Sequence, residues 1–479
     1  MNVSEKISEI IESKRSLFTN VSDQIWEYAE TRFEEFHSAD LLCQSLTNEG
    51  FSVTRGVAGL ETGFIGSYGE GHPIISILGE FDALAGLSQE AGSKSFNPIS
   101  VNGNGHGCGH NLLGVGALSA AIAVKEYLEE NQLAGTVRYY GCPAEESGYG
   151  KTFMARDGLF RDVDVAFSWH PATMNAVMHS TSNAVIHADF KFLGRSAHAG
   201  ASPHLGRSAL DAVELMNVGV NYMREHMIDE ARIHYAVTNT GGFAPNVVQS
   251  ESEVTYLIRA PKPHQVRELF DRVVDCARGA ALMTQTKMEF TIQGSCHNLI
   301  PNLTLEKVMY QHMKELGFPS LSEASIEFAK AMYDTLTDEE KQSSAMFVGK
   351  EMAKRLKDRP IADFIAPFSE NAKFMGGSTD VADVSWNVPT AQCVTSTWAF
   401  GTPYHTWQVV AQGKEEYAHD AMLLAGKAIA CTAISVLENP ELIENAKREL
   451  KETLDGKRYE SLIPSDLVPP NSKQMINSY

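Results

Sequence analysis

Ala184-Val185-Ile186-His187-Ala188-Asp189-Phe190-Lys191-Phe192 is the stretch on which the fold turns. Ile186, Ala188, Phe190 and Phe192 fall on one side of an extended chain and His187, Asp189 and Lys191 on the other, the period of a sheet with one buried face. Helical spacing follows at Leu205, Ala209, Val213, Met216, Val220 and Met223. Strand-like segments at 232–238 and 252–259, a helix-like 263–284 and alternating Met288, Phe290 and Ile292 complete the run. The order βαββαβ predicts a ferredoxin-like α+β unit.

On both sides the pattern is different. Residues 4–30 and 38–49 have helical periodicity, Ile74–Gly79 is a short apolar run, and Leu112–Leu128 reads as an amphipathic helix. Val137–Tyr140 and Val163–Trp169 are again strand-like. After residue 300 come helical stretches at 303–315, 323–357 and 414–437 and an apolar strand near 389–398. Such alternation predicts a mostly parallel α/β sheet with helices on its faces. The expected organisation is a catalytic domain in two segments, 1–183 and 299–479, with an inserted unit over 184–298. Residues 88–105 read as a long loop and the last fifteen as a polar tail.

At 479 residues the chain exceeds the size of one hydrophobic core. Its composition, 43% hydrophobic and 21% charged, is that of a globular protein with no stretch of about 20 apolar residues, which points away from membrane insertion. A formal charge of −20 repels a phosphate backbone, so nucleic acid is disfavoured as a partner. The N-terminal eighteen residues lack the apolar core and cleavage site of a signal peptide. The seven cysteines are dispersed and form no CxxC pair, so a disulfide framework is not expected. A cytoplasmic, reducing location is the expectation.

Metal-type residues occur where strand signals stop: Glu80 and Asp82 after Ile74–Gly79, Glu145 and Glu146 after VRYYGCP, His170 after DVAFSW, and His405 beyond AQCVTSTWAF. In open α/β sheets the C-terminal ends of the strands form the ligand crevice, where these side chains could meet. The segment Asn104-Gly-His-Gly-Cys-Gly-His-Asn111 puts Cys108 and His110 among glycines just before a helix, whose N-terminus is expected to favour a thiolate. Sulfur and imidazole suit zinc or a similar ion. On an extended backbone Glu145 and Glu146 would point oppositely, one to metal and one to water. The plainer readings are a flexible loop around a buried cysteine, two surface glutamates capping a turn, and core histidines at 170 and 405. No GxSxG, P-loop, GxGxxG or HExxH accompanies them.

His106-Gly-Cys108-Gly-His110 resembles the motif of the Cys-Gly-His branch of the M20 metallopeptidases. The resemblance runs almost the full chain through LGEFDALAGLSQEAG, NGHGCGHNLLG, GCPAEESGYGKTFM, APNVVQSESEVTYLIRAP, GGSTDVADVSW and GTPYHTWQ. It implies a di-metal aminopeptidase-like catalytic domain interrupted by a ferredoxin-like dimerisation domain. It further implies two divalent ions, manganese or zinc, with Cys108 bridging, His110, Glu146, His170 and His405 completing the ligands, and Glu145 as general base. His198 would reach the partner's site to steady the oxyanion, and Asn246 and Arg259 would hold the substrate's carboxylate. Arg259 has a plainer reading as a surface strand residue. The expected reaction is amide hydrolysis of p-aminobenzoyl-glutamate or a related N-acyl amino acid by a homodimer or a heterodimer with a paralogous chain. A dipeptide or auxin-type conjugate is the alternative substrate. A non-catalytic partner chain and a small-acid binding protein are rival classes. Where commoner branches carry His-x-Asp, this chain has Glu80-Phe81-Asp82, and one of the two carboxylates is expected to orient a ligand.

Overall fold

The computed structural model describes residues 2–348, 350–356 and 359–470. Most of the expected polar tail, from 471 onward, lies outside the described residues. The strands are β1 (Ser52–Arg55), β2 (Phe64–Glu70), β3 (Ile74–Glu80), β4 (Gly135–Cys142), β5 (Val165–Ala172), β6 (Ala176–Val177), β7 (Ser180–Thr181), β8 (Ala184–Leu193), β9 (Arg232–Asn239), β10 (Glu251–Ala260), β11 (Lys287–Cys296), β12 (Lys373–Phe374) and β13 (Thr390–Ser396).

Seven of them form a sheet in the order β1-β2-β4-β3-β5-β13-β6. Its centre, β4-β3-β5-β13, is parallel, and its flanks are antiparallel. β3 is buried at every position, as the apolar run Ile74–Leu78 requires of a strand covered on both faces. The helix His110–Asn131 packs on β3, β4 and β5, and the helix Glu416–Glu438 lies beside it, packing on it and on β13 and β5. The expected amphipathic stretch 112–128 is therefore buried nearly all round, because the sheet and the helices Val3–Ser13, Arg15–Tyr28 and Glu416–Glu438 all pack against it. Close approach needs small residues: a Cβ at Gly426 would stand 2.0 Å from Ser119 Oγ.

β8 to β11 make a separate antiparallel sheet, order β11-β8-β10-β9, the ferredoxin-like arrangement. Ile186, Ala188, Phe190 and Phe192 are buried and His187, Asp189 and Lys191 half-exposed, as the alternation predicts. The helices Ala209–Met223 and Pro263–Thr284 cover the sheet and share a core with it built on Phe190, Val213, Tyr256 and Phe270.

Two local expectations are corrected. Residues 4–30 are two helices, Val3–Ser13 and Arg15–Tyr28, because the chain leaves helical geometry at Lys14. The stretch 323–357 is broken after Asp334, where Glu323–Asp334 ends and a helical segment resumes at Asp338; its described parts are Asp338–Val348 and Lys350–Leu356. Among the described residues one helix, Glu416–Glu438, is long and apolar enough to cross a bilayer by length and composition alone, with Asp420 and Lys427 interrupting its apolar run. Its apolar window is 78% buried, because it packs on β13 and β5 beside the helix His110–Asn131.

Candidate metal centre

Four adjacent parallel strands deliver the site at their C-terminal ends. Glu80 closes β3 and Asp82 lies two residues beyond it; Glu145 and Glu146 follow β4; His170 lies near the end of β5; His405 follows β13. The loop carrying Cys108 is joined to that of His405 by a backbone bond from His405 N to Gly107 O (2.9 Å). Gly109 caps the helix that begins at His110, with φ 72°, a conformation costly to any residue bearing a Cβ. A Cβ there would also stand 2.9 Å from Pro171 and 3.0 Å from Trp398.

Glu145 and Glu146 do not sit on extended backbone as expected. They occupy a turn that opens at Ala144, whose φ of 58° is left-handed, as is that of His405 at 60°. Ala144 N donates to Oε1 of buried Glu35 (2.9 Å), and Thr62 Oγ1 donates to its Oε2 (2.9 Å). Such conformations, costing about 1–3 kcal/mol each, persist where surrounding bonds fix them, and they concentrate at functional sites.

The ligand-type atoms converge. Cys108 Sγ lies 3.5 Å from His170 Nε2, Glu146 Oε2 3.3 Å from His405 Nε2, and Glu80 Oε2 3.4 Å from His110 Nε2. Cys108 belongs both to a group with His110 and His170 and to a group with Glu146 and His405; a third group joins Glu80, His110 and Glu145. Two donors on one tetrahedral ion with bond lengths of about 2.0–2.3 Å are separated by about 3.3–3.6 Å, which is the spacing of these pairs. His110 Nε2, Glu80 Oε2 and Glu146 Oε1 are buried without a hydrogen-bond partner. Among the described residues, five carboxylates, Glu80, Asp82, Glu145, Glu146 and Asp380, gather around Lys151 and the His110 imidazole, whose charge, against burial, Asp82 favours. The carboxylates outnumber these two cations in a dry site, and divalent ions are the fitting further counter-charge.

The residues behind the ligands set their direction. Asp82 Oδ1 accepts from His110 Nδ1 (2.8 Å) and Oδ2 accepts from Glu146 N (3.0 Å), so one carboxylate orients two ligand candidates. His170 Nδ1 donates to Pro171 O (2.7 Å), leaving Nε2 toward Cys108. Burial, then the charge of His110, depresses His170 and keeps its imidazole neutral. Burial, with the charges of Glu80, Asp380 and Glu146, lifts Glu145 well above the ordinary carboxylate value; divalent charge beside it acts oppositely. The thiolate expected at Cys108 is corrected. Burial and the Glu146 charge push that thiol well up, outweighing the helix end, so a cation is what would make it a ligand.

His198, Asn246 and Arg259 stand apart from these groups. His198 is exposed, and its Nδ1 accepts from the N–H groups of Gly200 (3.2 Å) and Ala201 (3.1 Å), which places the ring proton on Nε2. Asn246, also exposed, adjoins it: Ala199 N donates to Asn246 O (2.9 Å). Arg259, at the end of β10, donates from Nη1 to Ser378 Oγ (2.7 Å) in a cleft of about 540 Å³ shared with Arg232, His234 and Asn183. Sequence reasoning missed Glu35, Lys151 and Asp380. A lysine inside the apolar YGKTFMA was the one available signal.

Residues 77–436 match peptidase family M20/M25/M40. The chain is 47% identical over 470 residues to the B subunit of p-aminobenzoyl-glutamate hydrolase from Escherichia coli (strain K12), a match that covers 97% of this chain and 98% of that one. It is 28% identical over 464 residues to the Xaa-Arg dipeptidase of Mus musculus, covering 93% and 91%. Among solved structures it is similar to a dinuclear metal-binding peptidase of the M20 family from Bacillus subtilis, with TM-score 0.54, 17% identity and coverage of 89% and 99%.

Proposed function

The chain belongs to peptidase family M20/M25/M40, and on that premise we propose that it hydrolyses the amide bond of an N-acyl amino acid, p-aminobenzoyl-glutamate foremost, to the free acid and glutamate. The observation that carries the reading is the set of unpartnered buried donors on Glu80, His110 and Glu146 facing one another beside Cys108. Cys108, His110, Glu146, His170 and His405 would hold two divalent ions, manganese or zinc, with Cys108 shared. When bound, such ions polarise the amide carbonyl and make water a nucleophile near neutral pH.

Glu145 takes the proton of the attacking water and returns it to the leaving amine. Nε2–H of His198 donates to the developing oxyanion from a partner protomer. Arg259 and Asn246 hold the substrate's carboxylate, Arg by its two-pronged donor geometry. The four-stranded unit, residues 184–298, serves as the dimerisation domain between the two catalytic segments, residues 1–183 and 299–479. In support, β9 is an open edge of its sheet. Leu215, Val218 and Tyr222, 38%, 51% and 77% exposed, line one side of the covering helix Ala209–Met223. A second copy or a paralogous chain fills this surface; the Escherichia coli relative, named as one subunit of its enzyme, favours a heteromer. All seven cysteines are unpaired, which suits the cytoplasm.

The test is Glu145→Gln. It should retain the wild-type metal content and lose about 10²–10⁴-fold in kcat; near wild-type turnover refutes the base. A panel of aroyl-glutamates, acyl-amino acids and Xaa-Arg dipeptides assigns the substrate. The dipeptidase reading, favoured by the 28% relative, requires release of arginine. No release from any member sinks the hydrolase reading, leaving a binding protein or a non-catalytic partner chain.

A further inference from the structure

We infer that Glu80 is a sixth protein ligand of the metal pair, aimed by a buried clamp of Lys151 and Asp380; this rests on the two-ion reading above. Glu80 ends the central strand β3 and is 2% exposed. One of its oxygens is taken: Oε1 lies 2.7 Å from Lys151 Nζ. That ammonium cannot swing away, because Asp380 Oδ1 accepts from it at 2.6 Å while Asp380 Oδ2 accepts from Lys151 N at 2.9 Å. Lys151 and Asp380 are both fully buried. The remaining oxygen, Oε2, is directed at His110 Nε2, 3.4 Å off, and neither atom has a hydrogen-bond partner.

The geometry of that facing pair decides the assignment. Asp82 fixes the His110 ring through Nδ1, which leaves Nε2 aimed at Glu80 Oε2. Two buried polar atoms facing each other with no hydrogen-bond partner call for a third group between them, and an ion bound by both supplies it. Their separation is that of two donors sharing one tetrahedral ion, about 3.3–3.4 Å for nitrogen and oxygen. Glu80, His110 and Glu145 also form one of the groups whose ligand atoms lie within 4.8 Å of one another. The two halves of the centre then differ in donors. One ion takes Cys108, Glu146 and His405; the other takes Cys108, His110, His170 and Glu80. A hard carboxylate oxygen added to the second set shifts its preference toward manganese relative to sulfur and imidazole alone. Lys151, which does not reach the ion, is a positioning residue.

The test uses chelator-stripped full-length wild type, Glu80→Gln and Glu80→Asp, each titrated with Mn²⁺ by calorimetry and analysed for bound metal after dialysis. Gln keeps an acceptor for Lys151 but turns an amide toward the ion. Asp keeps the charge beside Lys151 and withdraws the carboxylate by one methylene. The expected result is two ions in wild type, and in both variants one ion retained while the second binds at least about 10–100-fold more weakly, by analogy with lost metal-site partners. Melting temperatures of the stripped proteins should stay close while the Mn²⁺-induced rise shrinks in the variants. Two ions bound to either variant within threefold of wild type overturns the assignment. So does a manganese-loaded wild-type crystal structure with no Glu80 oxygen within about 2.5 Å of an ion, whether or not the variants fold. Wild type holding no ion refutes the two-ion reading instead.

Discussion

Asp82→Asn is the sharpest probe of how this centre is organised. The Asp82 carboxylate accepts at both oxygens, from His110 Nδ1–H at 2.8 Å and from Glu146 N–H at 3.0 Å. An asparagine of the same shape offers one acceptor and one donor, so one bond must fail. If the amide NH₂ faces Glu146 N–H, two donors oppose and the turn carrying Glu146 is pushed aside. If it faces His110, the imidazole must move its proton to Nε2, removing the lone pair that faces Glu80 and Cys108. Either way one ligand candidate is lost or misdirected. Hydrogen bonds to a charged acceptor are worth about 1.5–3 kcal/mol, and removing such an orienting partner weakens metal affinity about 10–100-fold. We expect the Kd of the tighter ion to rise by that factor, about 1.4–2.7 kcal/mol. The stripped variant should melt below stripped wild type, because one of the two bonds fails and His110 loses the charge that favours its protonated form, while relief of nearby Glu35 offsets part of that loss. Calorimetric titration with Mn²⁺ and metal analysis after dialysis read the first effect, thermal melts the second. Retention of both ions within threefold of wild type would refute the claim that Asp82 orients the ligands.

Two further outcomes are expected. If His198 serves the partner's site, neither His198→Ala nor Glu145→Gln alone is active, but co-refolding them at equal concentration restores about a quarter of wild-type turnover, since half the dimers are mixed and each holds one intact site; no recovery places His198 elsewhere. Glu306, 1% exposed, has its carboxyl pushed by burial to about 8, with Asn302 N donating to one oxygen and His179 paired to the other. Its stabilising contribution is complete below the unfolded value near 4.5 and is lost as pH climbs toward 8, an effect on the order of 3–5 kcal/mol. Glu306→Gln, uncharged at every pH and able to keep both contacts, should melt with wild type near pH 4.5 and clearly above it at pH 8–9; a difference in melting temperature that does not change with pH refutes this.

Periodicity carried the architecture because burial acts on each element locally. Alternation in 184–192 marks a one-faced strand whatever packs on it, and the unbroken apolar run Ile74–Leu78 marks a central strand. Periodicity failed where the neighbours decide. The helix His110–Asn131 read as amphipathic because its spacing was regular, yet the sheet and several neighbouring helices bury it nearly all round. Helix breaks at Lys14 and after Asp334 leave no strong mark in composition.

The candidate site divides in the same way. Cys108, His110, the Glu145-Glu146 pair, His170 and His405 are chemically conspicuous at strand ends, and the strand signals alone bring them to one edge of a sheet. Which atom of each faces which is a property of the folded chain. The sequence by itself determined the elements and the inventory of donors, because side-chain chemistry and hydrophobic period are written residue by residue. Only the tertiary structure decided that Asp82 orients two ligand candidates, that Lys151 and Asp380 aim Glu80, and that burial holds Cys108 as a thiol until a cation arrives. Hydrogen-bond direction and desolvation depend on contacts between residues more than 200 positions apart, such as Lys151 with Asp380 and Glu146 with His405, and those exist only once the sheet has closed around them.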